Sequence, residues 1–304
     1  MSNPDLSVRI GSLTLKNPVL VASGTASYGE ELSRVAPLTQ LGGFITKSIT
    51  LKPRKGNEPY RVVETSSGML NAIGLQNVGL EEFLLKKLPF LRKQNIPIIV
   101  NIAAKRVEDY AALASRLSAE KGISGIELNV SCPNVKEGGL EFGTNPACVT
   151  EIVRLVRKET RLPLITKLSP NVTDIVLMAK AAMEAGSDAV SLVNTFLAMA
   201  VDIRRKRPVL SIGTGGLSGP AIKPIALRMV WQVYQALKCP ILGIGGIMTT
   251  EDALSFMMVG ASAIQVGTAS FVNPKAPFEI VEGLADYARR EKCERLRDCI
   301  GVIR

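Results

Sequence analysis

The stretch that decides the fold is residues 163–193, PLITKLSPNVTDIVLMAKAAMEAGSDAVSLV. A short apolar run at 163–168 is followed by a helical pattern at 172–185 and by a second apolar run at 188–193. Thr173 before Asp174 is a favourable start for the helix. Strands that alternate with helices in this way pair in parallel, through right-handed crossovers. The stretch therefore predicts one strand–helix–strand unit.

The same pattern recurs along the whole chain. Apolar, strand-like runs occur at 18–23, 43–48, 97–102, 125–130, 163–168, 188–193, 240–245 and 263–267. Amphipathic, helix-like stretches lie between them at 81–94, 107–121, 146–160, 172–185, 220–237 and 250–259. This number of units predicts an α/β fold, a (β/α)8 TIM barrel. A doubly wound sheet is the alternative, but it usually has fewer strands at this length.

Two further elements are expected around the barrel. Residues 8–15 alternate in polarity about a Gly-Ser turn, which predicts an N-terminal hairpin that caps the bottom of the barrel. Residues 50–74 lack a helical pattern and are rich in Gly, Pro and Asn, so we expect a β-rich insertion after strand 2 that serves a function. No linker or repeat interrupts the pattern, and residues 1–304 are expected to form a single domain.

Composition excludes several classes of protein. The chain is 46% hydrophobic and 21% charged, which is enough for a large core and excludes wholesale disorder. It contains no histidine, so Ser-His-Asp hydrolases, HExxH zinc enzymes and any histidine general base are excluded. Aromatic residues make up only 5%, which argues against a stacking platform for single-stranded nucleic acid.

Charge and cysteine content indicate the kind of ligand and the cellular compartment to expect. The net charge is +10, and the basic residues occur in short clusters, which favours a solvated basic surface with an anion-binding site over a nucleic-acid binder. The five cysteines include no CxxC pair and follow no secretory signal, so we expect a reduced, cytoplasmic protein without a metal site. No apolar run is long enough to predict a membrane span.

Unusual polar residues and glycines follow the predicted strands. Active sites of barrels form at the carboxyl ends of the strands. Any one of these residues could cap a turn or reach water, but together they predict a ligand site. The residues are Ser23, Lys47, Ser48, Asn101, Asn129, Lys167, Asn194, Thr195, Gly245, Gly246, Gly267 and Thr268.

Glycines after the last two strands indicate a phosphate site. Gly245 and Gly246 follow strand 7, and Gly267 and Thr268 follow strand 8, where barrels commonly bind phosphate. Glycine lets backbone N–H groups approach an anion closely. The run at 213–219 spells G-x-G-x-x-x-G and does not follow a convincing strand, so it is a weak dinucleotide signal. It is either a third arm of the phosphate clamp or a flexible turn.

Cys132 lies just after strand 4, and the glycine-containing run that follows it suits a mobile lid. Such a cysteine could act as a nucleophile or a general base, and without histidine proton abstraction fits better than acyl transfer. Lys47 and Lys167 beside a phosphate site suggest flavin mononucleotide (FMN), with one lysine stabilising the reduced ring. A Schiff-base lysine, as in barrel aldolases, would explain Lys167 but not Cys132.

These motifs together resemble one family, the class 1 dihydroorotate dehydrogenases, which are flavoenzymes of pyrimidine biosynthesis. The matching segments are 22–25, 46–48, 71–77, 129–134, 167–174, 215–220 and 245–247. The run at 167–174 is similar to class 1B, whose catalytic subunit pairs with an iron–sulfur flavoprotein that uses NAD. Class 1A, a fumarate-reducing homodimer, is less similar in this run.

The resemblance implies roles for individual residues. Cys132 would take the C5 proton of dihydroorotate while hydride passes from C6 to N5 of FMN. FMN would be held by Ser23, Lys47, Ser48, Asn101, Asn129, Lys167, Val193, Gly219, Gly245, Gly246, Gly267 and Thr268. Dihydroorotate would be held by Lys47, Asn71, Ile73, Gly74, Leu75, Asn129, Asn134, Asn194 and Thr195.

The resemblance also implies a partner and leaves alternatives open. Electrons would pass to NAD through a separate subunit that carries FAD and a [2Fe-2S] cluster, with two copies of each chain. The alternatives are a class 1A homodimer linked to fumarate, an FMN-dependent tRNA dihydrouridine synthase, and a non-catalytic barrel scaffold. Dihydrouridine synthases carry an extra helical RNA-binding domain, for which little chain remains after strand 8.

Overall fold

The computed structural model describes residues 4–131 and 142–303. Cys132 and Asn134 lie outside the described residues, as does most of the run expected to form a lid. The strands are β1 (Val8–Ile10), β2 (Leu13–Leu15), β3 (Val19–Val21), β4 (Gly43–Ile45), β5 (Val62–Thr65), β6 (Gly68–Asn71), β7 (Ile98–Ile102), β8 (Gly125–Asn129), β9 (Leu164–Lys167), β10 (Ala189–Leu192), β11 (Phe196–Met199), β12 (Val201–Asp202), β13 (Arg207–Pro208), β14 (Thr214–Ser218), β15 (Ile241–Ile244) and β16 (Ala263–Val266).

Helices separate most of these strands. They are α1 (Leu80–Glu82), α2 (Leu88–Lys93), α3 (Val107–Ser118), α4 (Pro146–Glu159), α5 (Ile175–Glu184), α6 (Lys223–Leu237), α7 (Thr250–Met258), α8 (Ala269–Val272) and α9 (Ala276–Arg290). A wide helical turn at Phe83–Lys87 joins α1 to α2, so the predicted helix 81–94 is one helix with a local widening. The predicted helix 220–237 begins instead with a tight turn at Pro220–Ile222 and becomes α-helical at Lys223.

Eight parallel strands close into a barrel, which confirms the predicted fold and excludes the doubly wound sheet. Their order around the barrel is β3, β4, β7, β8, β9, β10, β15 and β16, and β16 pairs with β3 to close it. The helices pack on the outside. Apolar side chains from both layers form one continuous core between them.

Five barrel strands begin one residue later than predicted, and four of them begin just after a proline, at Pro18, Pro97, Pro163 and Pro240. Proline has no N–H to donate to the neighbouring strand. Its carbonyl still joins the ladder, because the carbonyl oxygens of these prolines accept backbone hydrogen bonds of 2.8–3.2 Å from the adjacent strands. Proline therefore marks the strand entrance without belonging to the strand.

The N-terminal hairpin closes the bottom of the barrel, as predicted. β1 and β2 pair antiparallel, and Gly11 takes a φ of 57° at the turn, a conformation that favours glycine. Ile10 and Leu15 are fully buried against Leu20 and Ile99, which point into the barrel from its strands. The hairpin is thus an apolar plug.

The β-rich insertion after strand 2 is also present, and it is larger than the sequence predicted. β5 and β6 come from this insertion, while β11 and β14 come from a second insertion after β10, and the four form one antiparallel sheet. Thr214–Ser218 is strand β14, so the interpretation of 213–219 as a flexible turn was wrong, while its interpretation as a third arm of the phosphate clamp stays a prediction. Its glycines misled the interpretation: a Cβ on Gly215 would lie 2.7 Å from the Asn71 carbonyl oxygen, so close strand packing requires glycine there.

The segment after β16 packs on the barrel as helix α9 and a short turn at Leu296–Cys299. Leu296 is fully buried, and its N–H donates to the carbonyl of Asp5 at 2.9 Å, which ties the two termini together. None of the helices among residues 4–131 and 142–303 is long and apolar enough to cross a membrane.

Candidate active site

Polar side chains collect at the carboxyl ends of the barrel strands. Asn101 lies in β7, Asn129 ends β8 and Lys167 ends β9. Ser23 and Ser48 follow β3 and β4 by two and three residues. Because the strands are parallel, all five residues come to the same end of the barrel, as the sequence predicted. All but Ser23 are buried.

A chain of hydrogen bonds joins several of these residues. The Ser48 hydroxyl donates to Asn101 Oδ1 at 2.5 Å, and Asn129 Nδ2 donates to Ser48 Oγ at 3.5 Å. Asn194 Nδ2 donates to Asn129 Oδ1 at 3.2 Å and to Ser131 Oγ at 3.0 Å. Three strand ends and the segment after β10 are thereby held in one rigid polar surface.

Two lysines lie at the same end. Lys167 is buried and donates to Ser23 Oγ at 3.3 Å; burial lowers the pKa of Lys167, while the negative charge of Glu127 works in the opposite direction. Burial also lowers the pKa of Lys47, and the positive charge of Arg61 adds to that effect. An anionic ligand between these lysines would favour their charged forms.

The glycines after β15 allow the backbone of this strand end to lie against α6. Gly245 and Gly246 take φ values of 129° and 72°. A Cβ on Gly246 would lie 2.8 Å from the Gly219 carbonyl oxygen, and one on Gly245 would lie 2.8 Å from Ala226 Cβ in α6. Side chains at these positions would separate the strand end from the helix, so glycine is required here.

These backbone segments form a cradle with free donors, which we call the glycine cradle: Gly219, Gly245, Gly246, Gly267 and Thr268. In the part of the chain that the structure describes, the N–H groups of Gly246, Gly267 and Thr268 donate to no protein acceptor. Unpaired N–H groups beside the start of a long helix are suited to bind a phosphate. The residues present therefore fit the phosphate of FMN.

The insertions bring the predicted substrate residues to the same region. Asn71 ends β6 and donates through Nδ2 to the Gly216 carbonyl at 3.3 Å, in the adjacent strand β14. Thr195 lies against the other side of Gly216, where a Cβ would overlap its hydroxyl. Asn194 Oδ1 accepts from the N–H of Thr195 at 2.9 Å. Asn71, Asn194 and Thr195 are thus brought together.

The remaining predicted residues within the described part of the chain are Val193, Ile73, Gly74 and Leu75. Val193 is buried, and its N–H donates to the Ile244 carbonyl at 3.0 Å. The carbonyl of Ile73 accepts from the N–H of Asn57 at 3.1 Å, while Gly74 and Leu75 take positive φ values of 74° and 56°. The loop that carries them therefore has a fixed, unusual backbone shape.

Comparison with known proteins identifies the family. Residues 5–287 match the sequence profile described as dihydroorotate dehydrogenase. The chain belongs to the dihydroorotate dehydrogenase family. This membership confirms the family that the strand-end motifs predicted. Relatives of the family include a protein of Citrifermentans bemidjiense that is 54% identical over 303 residues, covering 100% of this chain and 99% of the relative.

Other members of the family agree with this assignment. A protein of Trichlorobacter lovleyi is 55% identical over 300 residues, with 99% of each chain covered. Both relatives are named dihydroorotate dehydrogenase B (NAD(+)), catalytic subunit. A solved dihydroorotate dehydrogenase structure from Eimeria tenella, in complex with ferulenol, superposes with a TM-score of 0.79 and covers 98% of this chain and 88% of that one. It is 24% identical and supports the fold alone.

The sequence analysis missed a layer of buried polar residues that lies beneath the candidate active site of this dehydrogenase. Glu127 in β8, Ser191 in β10 and Gln265 in β16 are completely buried inside the barrel. Their spacing could have revealed them, because alternate residues of a strand face the same side. Glu127 lies two residues before Asn129, so it shares the inward face, and a charged residue in an otherwise apolar strand is unusual.

Proposed function

We propose that this chain oxidises (S)-dihydroorotate to orotate in de novo pyrimidine biosynthesis, as the catalytic subunit of an NAD-linked dihydroorotate dehydrogenase. The observation that carries the proposal is the similarity, over the full length of both chains, to relatives that bear this name. The polar strand ends and the glycine cradle support it, since they offer a phosphate site beside two lysines and several amides.

FMN is the cofactor of this proposal. The backbone N–H groups of the glycine cradle bind its phosphate, and the buried amides and lysines at the strand ends contact its ring system. When bound, FMN supplies the acceptor for the hydride that leaves C6 of dihydroorotate. The residues that hold it are Ser23, Lys47, Ser48, Asn101, Asn129, Lys167, Val193, Gly219, Gly245, Gly246, Gly267 and Thr268.

The chain's own residues orient the substrate. Lys47 offers a positive charge to the carboxylate of dihydroorotate, and amide side chains can donate to and accept from its ring amides at once. The proximity of Asn71, Asn194 and Thr195 around Gly216 supports this part of the proposal. The full set is Lys47, Asn71, Ile73, Gly74, Leu75, Asn129, Asn134, Asn194 and Thr195.

Cys132 is the proposed base that takes the proton from C5. It follows Ser131, whose hydroxyl accepts from Asn194 in the polar surface of the site. The chain has no histidine, and a thiol titrates close enough to neutral pH to serve as a base. Cys132 itself lies outside the described residues.

The electron acceptor in this proposal is NAD, reached through a separate subunit with FAD and a [2Fe-2S] cluster, in an assembly of two copies of each chain. The word subunit in the relatives' names supports a partner chain. We place the enzyme in the cytoplasm, a location consistent with five cysteines that include no CxxC pair.

Anaerobic flavin reduction tests the activity. The chain loaded with FMN is expected to be yellow and to lose its absorbance near 450 nm when dihydroorotate is added. Dihydrouracil, which has the same ring without the carboxylate, is the matched control and is expected to bleach the flavin far more slowly. A chain that binds no FMN, or whose FMN dihydroorotate does not bleach, contradicts the proposal.

Steady-state assays test the acceptor. The isolated chain is expected to reduce artificial dyes but hardly any NAD, and NAD reduction is expected once the iron–sulfur flavoprotein subunit is added. Rapid NAD reduction by the isolated chain would contradict the need for a partner. Rapid fumarate reduction would assign the chain to the homodimeric class instead.

A further inference from the structure

A buried carboxylate lies directly beneath the proposed flavin site. Glu127 is 0% exposed and points into the barrel from β8. Its Oε1 accepts from Asn101 Nδ2 at 2.7 Å, on the side of the site. Its Oε2 accepts from Ser191 Oγ and Gln265 Nε2, each at 2.7 Å, deeper in the barrel. Burying a carboxylate is costly unless such donors surround it, so three strands are arranged around this group.

In the chain of hydrogen bonds that ends at Glu127, each side chain donates to the one nearer to Glu127. Asn101 donates to Glu127 through Nδ2, so its Oδ1 faces the other way and accepts from the Ser48 hydroxyl. The single hydroxyl proton of Ser48 is then used, and Ser48 Oγ accepts from Asn129 Nδ2. A carboxylate can only accept, whereas an amide or a hydroxyl can point either way. Glu127 therefore sets the direction at the lower end of the series, while the Ser131 backbone N–H, which donates to Asn129 Oδ1 at 3.2 Å, sets it at the upper end.

We propose that Glu127 is a positioning residue of the active site, which fixes the amide orientation of Asn101 and, through it, the direction of the Ser48 hydroxyl that accepts from Asn129. The orientation of Asn101 decides whether this side chain presents its N–H2 group or its oxygen to Ser48 and to the ligands above. The proposal rests on the proposed function, because Asn101 and Asn129 are the side chains assigned there to FMN and dihydroorotate.

The position of Lys167 supports this role. Lys167 is buried at the end of the strand next to β8, and burial lowers its pKa. Glu127 is the negative charge that opposes this effect. The same carboxylate therefore orients the Asn101 amide and favours the charged form of the lysine assigned to the flavin.

The chemistry of Glu127→Gln makes the proposal testable. The amide oxygen that this substitution introduces is expected to stay with the donors Ser191 and Gln265, which leaves the new N–H2 group facing Asn101. Two N–H2 groups cannot pair, so Asn101 must turn its oxygen down, and its N–H2 group then faces the Ser48 hydroxyl, which loses its acceptor. Ser191→Ala is the matched control, because Ser191 donates to Glu127 Oε2 and accepts from Gln265 Nε2, so its removal leaves the contact of Asn101 with Glu127 Oε1 in place.

Both variants are made in the full chain, and FMN is titrated into the cofactor-free protein by fluorescence quenching. We expect Glu127→Gln to raise the FMN dissociation constant about tenfold or more, the scale of losing one hydrogen bond to a charged group, and to change the flavin's absorption bands and midpoint potential. We expect Ser191→Ala to stay within about threefold of the wild type, with the spectrum unchanged. Wild-type affinity, spectrum and potential in Glu127→Gln would overturn the proposal.

A reciprocal exchange covers the case in which Glu127→Gln does not fold. Asn101→Asp alone places two carboxylates against each other without a donor between them. Adding Glu127→Gln gives the carboxylate at position 101 a donor again and still lets it accept from Ser48, as the amide does in the wild type. The double variant is expected to bind FMN about tenfold more tightly than Asn101→Asp, since residues in one network are coupled. A double variant that binds no better than Asn101→Asp would overturn the proposal.

These results are distinguishable from a failure of the proposed function. If the wild-type chain binds no FMN, or dihydroorotate does not bleach it, the proposed function is wrong. If the wild type is bleached and neither the Glu127→Gln nor the exchange variants behave as expected, only the positioning role is wrong.

Discussion

The two halves of the barrel interior are built from the same strands, yet the inward-facing side chains are apolar in one half and polar in the other. At the bottom, Ile10 and Leu15 of the hairpin pack on inward-facing aliphatic side chains such as Leu20, Ile99 and Leu242. At the top, the inward-facing positions hold fully or almost fully buried polar groups, which are Asn101, Glu127, Lys167, Ser191 and Gln265. The change from apolar to polar takes place within two residues of strand, for example from Ile99 to Asn101 in β7.

This difference indicates that the apolar half mainly stabilises the fold, whereas the polar half mainly positions the ligand-binding groups. Burying aliphatic groups is favourable without further conditions, at about 25 cal/mol per Å² of apolar surface. Buried amides and charges are tolerated where hydrogen-bond partners offset the loss of water, and they then hold ligand-binding groups in fixed positions. Gln265 Oε1, which is buried and has no hydrogen-bond partner in the described part of the chain, is an exception. Changes at the bottom should therefore alter stability and leave the chemistry intact, whereas changes at the top should do the reverse.

The largest effect is expected from Ile10→Ala, which opens a cavity in the plug. Ile10 is 0% exposed, and truncating such a side chain costs about 2–5 kcal/mol of unfolding free energy. Urea unfolding measures this loss. The FMN affinity and the rate of flavin reduction of the folded protein are expected to stay unchanged.

Leu13→Ala is the control in the same hairpin. Leu13 is only partly buried, so its truncation should cost clearly less than that of Ile10. A change in FMN affinity as large as the change in stability would show that the two halves of the interior are not independent.

The next largest effect is expected from Cys132→Ala, which removes the proposed base. Loss of a general base slows the step it serves by about 10²-fold or more, or about 2.7 kcal/mol in the barrier. Stopped-flow reduction of the flavin by dihydroorotate measures this rate, and FMN binding and the melting temperature are expected to stay near the wild type. Cys132→Ser should retain some activity and need higher pH, because a hydroxyl is a weaker acid than a thiol.

Cys239 provides a matched control for Cys132. Burial raises the pKa of the Cys239 thiol to about 11, so this cysteine stays protonated at neutral pH and cannot act as a base. Cys239→Ala is expected to leave the rate of flavin reduction unchanged. Near-normal reduction in Cys132→Ala would remove Cys132 from the mechanism.

A smaller effect is expected from Gly246→Ala in the glycine cradle. The new methyl group would lie 2.8 Å from the Gly219 carbonyl oxygen and would push the free N–H groups out of position. We expect the FMN dissociation constant to rise about tenfold, which corresponds to about 1.4 kcal/mol. Fluorescence titration of the cofactor-free chain measures it.

Gly213→Ala separates this effect from simple backbone strain. Gly213 takes a φ of 88°, so alanine is strained there as well, but the nearest atom, Pro208 Cγ, is 4.0 Å away. It is expected to leave FMN affinity unchanged. Equal losses of affinity in the two variants would contradict a phosphate site at Gly246.

The sequence predicted the barrel well because its signals are local. Apolar runs and the prolines at Pro18, Pro97, Pro163 and Pro240 mark the start of each barrel strand within one residue. The residues at strand ends could also be assigned, since parallel strands bring their carboxyl ends together whatever the details of packing. The predicted fold and family are both confirmed.

The sequence could not show contacts that arise only when distant segments pair. β14 was mistaken for a loop because Gly215 and Gly216 have no strand propensity of their own; they are required by β6 and Thr195, which are remote in sequence. Glu127 was overlooked for a similar reason. Its partners Asn101, Ser191 and Gln265 come from three other strands, and only closure of the barrel brings them to one carboxylate.

The smallest effect is a pH dependence that arises from Lys167. Burial lowers its pKa in the folded chain below the ordinary value of 10.5, which the unfolded chain retains. Between these two values the unfolded chain binds a proton that the folded chain does not, so the unfolding free energy rises with pH in this window. Below the window both states are protonated, and the buried charge is a constant cost. In Lys167→Met no charge is buried at this position, so the variant lacks both the free-energy cost of burying the cation and the pH dependence that it gives to the unfolding free energy.

The measurement is urea unfolding of the cofactor-free wild type and Lys167→Met at neutral pH and near pH 10. Other groups, including Lys47, titrate in both proteins and cancel in the difference. The stability of the wild type relative to Lys167→Met is expected to increase with pH, because deprotonation relieves the cost of burying the cation. A difference that stays constant or falls with pH would mean that Lys167 is not held in a low-dielectric environment, and the contrast between the two halves of the barrel would then not extend to this lysine.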